Sequence, residues 1–562
     1  RYNGLMEVFM NHITICLAFA NIQLASPDKN ALVHQELIIK ALDKKAGLLL
    51  FPPLSLTGDG LGEFYRQPTI LEGSKKALSS LAKMSSIAAF IGLPMQIEDR
   101  LFSVMALIDQ GEIKGYIPLS SKDKAFSDPL LFPKNLYPDK ELYKLSIYLD
   151  DSFSYPSKNK DVIALFKEES KKTDAPLLYL SCPESYSISG GIHSSSYILW
   201  HKEETIATDL WSDELITLEV ALEKGSLELF SYKPKKNNNQ TFSSTPFLSP
   251  NFKGYQELLS HQAKAYGNKL LRTGSSHSII GISGGLDSTW ALIATLQAHR
   301  KMNLPLDHIH PIVLPGFGSS EDTMSSALDL LDALALKAEI ISIDKAVLQH
   351  FEDLGHDPEE KNIVYENAQA RERTQILMNL ANKYHGLVVG TGDMSEIALG
   401  WSTYNGDQMS MYGINAGLPK TLIQDLILWY AKKEGGKLEK ALRHILGRPI
   451  SPELLPPDPK GEILQKTEDL IGKYEIIDFI LYYSLQHYPI YQIEKLMAQA
   501  FGGVSKKERK EHLARFYKRF INQQFKRTAS PHGIKLTHPS LVGFEMASDL
   551  NASDFIKEIE NL

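Results

Sequence analysis

Two cysteines in 562 residues, Cys16 and Cys182, are too few for a disulfide framework or a cysteine-built metal site, so a reducing cytoplasmic setting is expected. No stretch is long and apolar enough to span a bilayer. The N-terminal run VFMNHITICLAFANIQL is broken by Asn11 and His12 and reads as a buried strand. There is no long run of charge of one sign either: 60 Lys and Arg face 67 Asp and Glu, for a net charge of -7. That balance argues against nucleic acid or a membrane as the main partner and leaves a small charged metabolite open. Repeats of solenoid length are absent. Arg1 is not an initiator methionine, so the natural start is expected upstream.

The length calls for two or three domains. Residues 231–250, SYKPKKNNNQTFSSTPFLSP, are polar and rich in Lys, Asn, Ser and Pro, and are expected to link a first domain over 1–230 to a second over 251–562. Before the linker, short β-rich runs alternate with amphipathic helical stretches near 33–45 and 74–86. After it, SIIGIS, HIHPIVLPG, AEIISID and GLVVGTG are separated by helical patterns, as in a parallel sheet with crossover helices. Both halves are therefore α/β. From about 421 the pattern is mostly helical, and the aromatics of DFILYYSLQHY and RFYKRFINQQF are expected to be packing faces.

The stretch IIGISGGLDSTW, 279–290, interrupts an apolar strand with small residues and then starts a helix. That order directs backbone N–H groups and two hydroxyls at one point by a helix N-terminus, an anion site most often used for phosphate. Asp287 would repel phosphate unless a hard cation such as Mg2+ lay between them. A Gly-rich turn capped by Ser and Asp is the plain alternative. Three further segments fall where a doubly wound sheet places ligands: PGFGSS after one strand, TGDMSEIALGW with Thr391 and Glu396 after another, and ENAQARERT, expected to start a helix at Asn367 with Arg371 on the same face and Arg373 nearby.

With GISGGLDST, VLPGFGSS, ENAQARERT, GTGDMSEIALGWSTYNGDQMSMYGINAGLPKTLI, ISPELLP and QQFKRTASPHGIK, the chain resembles the long form of NAD+ synthetase over about 250–555. The resemblance implies a doubly wound PP-loop domain with a helical C-terminal extension. It also implies adenylation of deamido-NAD+ by MgATP followed by amidation with ammonia. Gly281, Ser283, Gly284, Gly285, Leu286, Asp287, Ser288, Leu314 and Thr391 would then serve ATP. Asp287 and Glu396 would hold Mg2+, and with Lys420 would form the catalytic set. Asn367, Arg371, Glu396, Trp401, Tyr404, Asp407, Lys420 and Lys526 would surround deamido-NAD+. Two departures, a loop YNGDQ one residue short and Met411 where His is frequent, touch the details of that loop.

The first half resembles, more weakly, a nitrilase-like α-β-β-α sandwich that hydrolyses glutamine in long-form enzymes. Its Glu-Lys-Cys triad is degenerate. Pro53 stands at the glutamate position and Leu119 at the lysine, with Lys122 and Lys124 shifted. Tyr148 stands at the cysteine, unless that segment is deleted. Cys16 reads as a buried hydrophobe, and Cys182 lacks an evident base. The expectation is a pseudo-glutaminase, with ammonia taken from solution or from a separate glutaminase, in a protein that self-associates. The competing readings are another PP-loop ligase or a non-catalytic nucleotide-binding or partner-binding protein.

Overall fold

In the strand Asn11–Ala18, Ile13, Ile15 and Leu17 point to one face while Cys16 and Ala18 point to the other, and each set enters a different buried cluster. A strand covered on both faces reads as one apolar run rather than as alternation, which is why this segment looks hydrophobic throughout. The computed structural model describes the chain apart from residues 1–10, 122–124, 139–141, 151–157, 182–186, 189–190, 193–195, 202–203, 210–214, 233–241, 250–251, 451–453, 456–466, 545 and 548–549. Cys182, Lys122, Lys124 and much of the expected linker therefore lie outside the described residues. The chain divides into two units, Arg1–Asn238 and Asn239–Leu562.

The first unit has four layers. Helices Pro27–Asp43 and Pro68–Met84 press Leu37, Ile38, Leu78 and Leu81 onto a six-stranded sheet ordered Leu215–Leu222, Asn11–Ala18, Leu48–Leu50, Ala88–Ile97, Arg100–Asp109, Glu112–Leu119. Both helices start earlier than the expected 33 and 74, because Pro27 and Pro68 occupy first-turn positions where proline's fixed φ and missing N–H are no handicap. The sheet's other face packs through Leu48, Leu50, Phe90 and Met105 onto Ile147, Leu149, Leu178 and Leu180 of a second sheet. That sheet is ordered Glu204–Asp209, Ser196–His201, Leu177–Ser181, Leu145–Asp150, Leu227–Ser231. Its far face carries Tyr179, Ile198 and Trp200 against Val162 and Phe166 of helix Lys158–Glu169. The order is helix, sheet, sheet, helix: the α-β-β-α sandwich expected from the sequence.

The second unit holds a sheet ordered Glu339–Ile340, Ile309–Val313, His277–Gly281, Gly386–Gly390, Tyr412–Gly413, with every pairing parallel. His277–Gly281 is the first strand of this sheet in chain order, and later strands are added first to one side of it and then to the other, so ligands are expected beyond its C-terminal end. AEIISID forms strand only at Glu339–Ile340. The helix expected to begin at Asn367 begins at Ile363, because Asn362 caps it by accepting from the N–H groups of Val364 and Tyr365. Beyond 420 the described residues are mostly helical, and Phe479, Tyr483, Phe516, Tyr517 and Phe520 are buried in one core with Met394 and Leu399. Among the described residues no helix is long and apolar enough to cross a membrane.

Candidate active site

Strand His277–Gly281 runs into Ile282–Gly285, and helix Leu286–Lys301 begins at once. Gly284 sits at φ +76°, where a Cβ would lie 2.4 Å from the Thr323 carbonyl oxygen, so only glycine fits. The two serines close the loop: the Gly285 N–H donates to Ser283 Oγ at 3.2 Å, and the Ser283 and Ser288 hydroxyls are 3.1 Å apart. The result is a tight loop at the positive end of a 16-residue helix. Arg448 fastens it from outside, donating to Gly284 O at 3.3 Å and Thr323 Oγ1 at 2.7 Å while pairing with Asp322 at 2.8 Å.

Beside the loop lies a cluster of charge. Lys420 Nζ, 1% exposed, is 2.5 Å from Asp287 Oδ2, 2.7 Å from Asp393 Oδ2 and 2.9 Å from Glu396 Oε1. Burial pushes the Asp287 carboxyl up to about 7 and Glu396 well above the carboxylate range; Lys420 opposes the rise and the neighbouring acids reinforce it. Burial works against the Lys420 charge too, but three carboxylates outweigh it and hold the ammonium well above its usual range. The acids' oxygens lie within 4.8 Å of one another, and Asp287 Oδ1 is buried without a hydrogen-bond partner. That is an oxygen donor set suited to a hard divalent cation.

The loop, with Asp287 and Glu396, opens into a cavity of about 340 Å3, lined by Gly281, the Ser283–Ser288 loop, Leu314, Thr391, Glu396, Trp401, Asp407 and Lys420, together with Arg373. Arg373 also donates to Leu314 O at 3.0 Å. The remaining expected residues do not line it. Asn367 accepts from Thr403 Oγ1 at 2.8 Å, Arg371 donates to Tyr404 O at 3.3 Å, and Lys526 Nζ donates to Gly400 O and Ser402 O at 2.9 and 2.6 Å. These three tether the 400–408 loop, whose Asp407 accepts from the Thr403 N–H at 2.7 Å. The Lys526 ammonium, expected to face a substrate oxygen, is engaged here by two carbonyls of that loop, and burial lowers its pKa. The Tyr404 ring is 44% exposed and lies 5.6 Å from Phe525. Trp401 carries the Arg519 guanidinium 5.0 Å from its ring.

Residues 258–528 match the family model for NAD synthase. A glutamine-dependent NAD(+) synthetase of Mycobacterium bovis is 26% identical over 654 positions, covering 96% of each chain. Over nearly its whole length the chain is similar to long-form NAD+ synthetases. Its match to the Mycobacterium leprae protein of the same description is 37% identical but spans 50% of this chain and 46% of that one. The crystal structure of a glutamine-dependent NAD(+) synthetase from Cytophaga hutchinsonii shares the fold at TM-score 0.77, with 17% identity over 98% of this chain and 100% of that one. The Acinetobacter baumannii enzyme with ADP gives 0.65 over 94% and 97%.

Sequence reasoning missed Asp393, Asn415 and Arg448 at this site. Asp393 precedes Glu396 by one helical turn, a spacing that reads as a helix cap, and it does cap: its Oδ1 accepts from the Glu396 N–H at 2.9 Å. Only the fold shows that its other oxygen faces Lys420. Asn415 is fully buried and donates to the carbonyls of Asp287 and Thr391 at 2.9 and 3.0 Å. Gln262 holds it in turn by donating to Asn415 Oδ1 at 3.0 Å and accepting from Trp290 Nε1 at 2.9 Å.

Of the first unit's three expected triad positions, Leu119 and Tyr148 face different layers. Leu119 is buried in the inter-sheet core, while Tyr148 lies on the opposite face of its sheet, ring centroids 5.3 Å from Phe166 and 5.0 Å from Phe230. Pro53 is buried after strand Leu48–Leu50. Cys16 is fully buried, its thiol 3.9 Å from Thr217 Oγ1, and burial raises its pKa.

Proposed function

We propose that this synthetase adenylates the carboxylate of deamido-NAD+ with ATP and then amidates it with ammonia, releasing AMP and pyrophosphate. The observation that carries the proposal is the cavity joining a phosphate-type loop to Asp287, Glu396 and the buried Lys420, with Asp393 behind them on the same ammonium. A free carboxylate does not accept an amine at neutral pH until one of its oxygens becomes a leaving group. In the first step that oxygen bonds to the α-phosphorus and the α–β anhydride bond breaks; in the second, ammonia attacks the carbonyl carbon, gives up a proton, and AMP departs. The Ser283–Ser288 loop holds the phosphates that leave as pyrophosphate, with the helix N-terminus behind it countering their charge. Lys420 supplies positive charge beside the same groups. Asp287, Asp393 and Glu396 would hold Mg2+, which when bound offsets charge on the departing pyrophosphate. Trp401 offers the dinucleotide a flat ring, and Asn367, Arg371, Tyr404 and Lys526 act by shaping the loop that carries it.

We further infer that the first unit no longer hydrolyses glutamine and serves as scaffold or docking surface. Ammonia then comes from solution or from a separate glutaminase, to a self-associating cytoplasmic enzyme. Nitrilase-type hydrolysis needs a thiolate, a base and a cation together. Proline accepts no proton, Leu119 is core, Tyr148 packs against a helix, and the Cys16 thiol is shifted away from thiolate. The alignment with the Mycobacterium bovis protein runs over 654 positions against 562 residues here, so segments of that relative have no counterpart in this chain.

The test is product analysis with ATP, Mg2+, deamido-NAD+ and ammonium. NAD+, AMP and pyrophosphate in equal amounts are expected. ADP and phosphate would overturn the adenylation, and nucleotide binding without turnover would favour a binding protein.

A further inference from the structure

Helix Lys420–Glu434 begins with the site's lysine, yet its own N-cap residue, Pro419, has no side chain able to accept from the first N–H groups. Those donors are satisfied from two other helices. Lys420 N–H donates to Ser395 Oγ at 2.9 Å, and Thr421 donates to Asp478 Oδ2 through both its N–H, at 2.9 Å, and its hydroxyl, at 2.7 Å. The Ser395 hydroxyl in turn donates to Asp478 Oδ1. One carboxylate, 2% exposed, therefore ties the helix that starts at Lys420 to the helix Met394–Leu399 that carries Glu396, the next residue after Ser395.

Asp478 lies on helix Tyr474–Leu485, one turn from Tyr474, whose ring centroid is 5.1 Å from Lys420 Nζ. The same helix face thus contacts both ends of Lys420, backbone through Asp478's partners and ammonium through the Tyr474 ring. A buried carboxylate receiving three donors at a helix N-terminus is held by charge-assisted bonds and by the helix dipole, so it fixes distance as well as orientation. The Lys420 ammonium sits within 3 Å of three carboxylates, and small displacements of a positioned charge are expensive to catalysis.

We propose that Asp478 is a positioning residue for the amidating reaction: by clamping Ser395 and Thr421 it sets where Lys420 and Glu396 stand relative to each other. Among the described residues Asp478 does not line the cavity, and its hydrogen bonds go to Ser395 and Thr421, through which it acts. The inference rests on the synthetase reading given above. The two fail differently: a wild-type protein that makes no NAD+ defeats that reading, whereas normal wild-type turnover with unimpaired clamp variants defeats only the clamp.

The experiment uses the full chain with Asp478→Asn, Thr421→Val, Thr421→Ser and the double variant Asp478→Asn/Thr421→Val. For each, kcat and the KM values for ATP and deamido-NAD+ are measured beside thermal unfolding. Asp478→Asn and Thr421→Val should each lower kcat by about tenfold or more with both KM values within about threefold of wild type, the pattern of a lost transition-state arrangement. Thr421→Ser keeps the hydroxyl and should stay within about threefold of wild-type kcat. The double variant should lose little more than the worse single variant, since both break one contact. Unchanged kcat in either single variant would overturn the proposal. So would losses of kcat that multiply in the double variant and follow the fall in melting temperature. If Asp478→Asn does not fold, the Thr421→Val and Thr421→Ser pair decides by the same readouts, and equal kcat for the two would overturn the clamp.

Discussion

Replacing Lys420 by methionine removes the only cation that touches Asp287, Asp393 and Glu396 among the described contacts. Methionine fills similar space, so the change is mainly one of charge. Taking one partner from a buried ion pair costs about 3–5 kcal/mol, because the remaining charges stay buried without compensation. The acids can escape that cost by binding a proton, which makes it depend on pH. Asp287 already stands at about 7 with Lys420 beside it, and Glu396 stands well above the carboxylate range; both rise further when the ammonium goes. A carboxyl whose folded pKa exceeds its unfolded value, about 3.9 for aspartate, binds its proton more tightly in the folded state. Stability is whole below that value and is lost as pH rises through the folded pKa. The variant should therefore lie close to wild type at about pH 5 and fall behind by about 3–5 kcal/mol at about pH 8.5. Urea unfolding of both proteins in EDTA at the two pH values measures it. A deficit equal at both, or under about 1 kcal/mol at the higher pH, would refute the reasoning.

Gly284→Ala should weaken ATP at least about tenfold, since φ +76° and a Cβ 2.4 Å from Thr323 O force the loop to move; unchanged affinity by calorimetry would count against the cradle. Asn415→Leu strands the carbonyls of Asp287 and Thr391 and should cost about 1–3 kcal/mol in thermal unfolding; a neutral result would show that the network does not support the site. Asp393→Asn keeps a side chain able to cap its helix but removes a charge, so the Mg2+ concentration for half-maximal turnover should rise about tenfold while melting temperature changes little. Cys16→Ala should leave both rate and nitrogen-donor preference as in wild type; loss of glutamine use alone would make Cys16 a nucleophile after all.

The strand, tight turn and helix over 279–290 are legible in sequence because they follow one another within twelve residues, and local order carries its own signal. Thr391 and Glu396 were legible for the same reason, being close behind a strand end. Asp393 was hidden by its second role, since a carboxylate three residues before Glu396 is a sufficient cap. Asp478, 57 residues from Thr421, and Asn415, 128 from Asp287, were out of reach because their meaning lies wholly in contacts that folding creates. Helix starts at Pro27, Pro68 and Ile363 were placed late for a different cause: first-turn positions carry caps and prolines rather than the apolar period that marks a helix. The carbonyl partners of Lys526 are likewise invisible in sequence, because they lie more than a hundred residues away, at Gly400 and Ser402.

The central claim, a working synthetase joined to a glutaminase that has lost its chemistry, is tested most directly by comparing kcat/KM for NAD+ formation with ammonium and with glutamine as nitrogen donor. Ammonium should support turnover while glutamine supports none beyond the free ammonia it carries. Turnover from glutamine equal to or above that from ammonium would contradict the account and make Cys182 the first residue to replace.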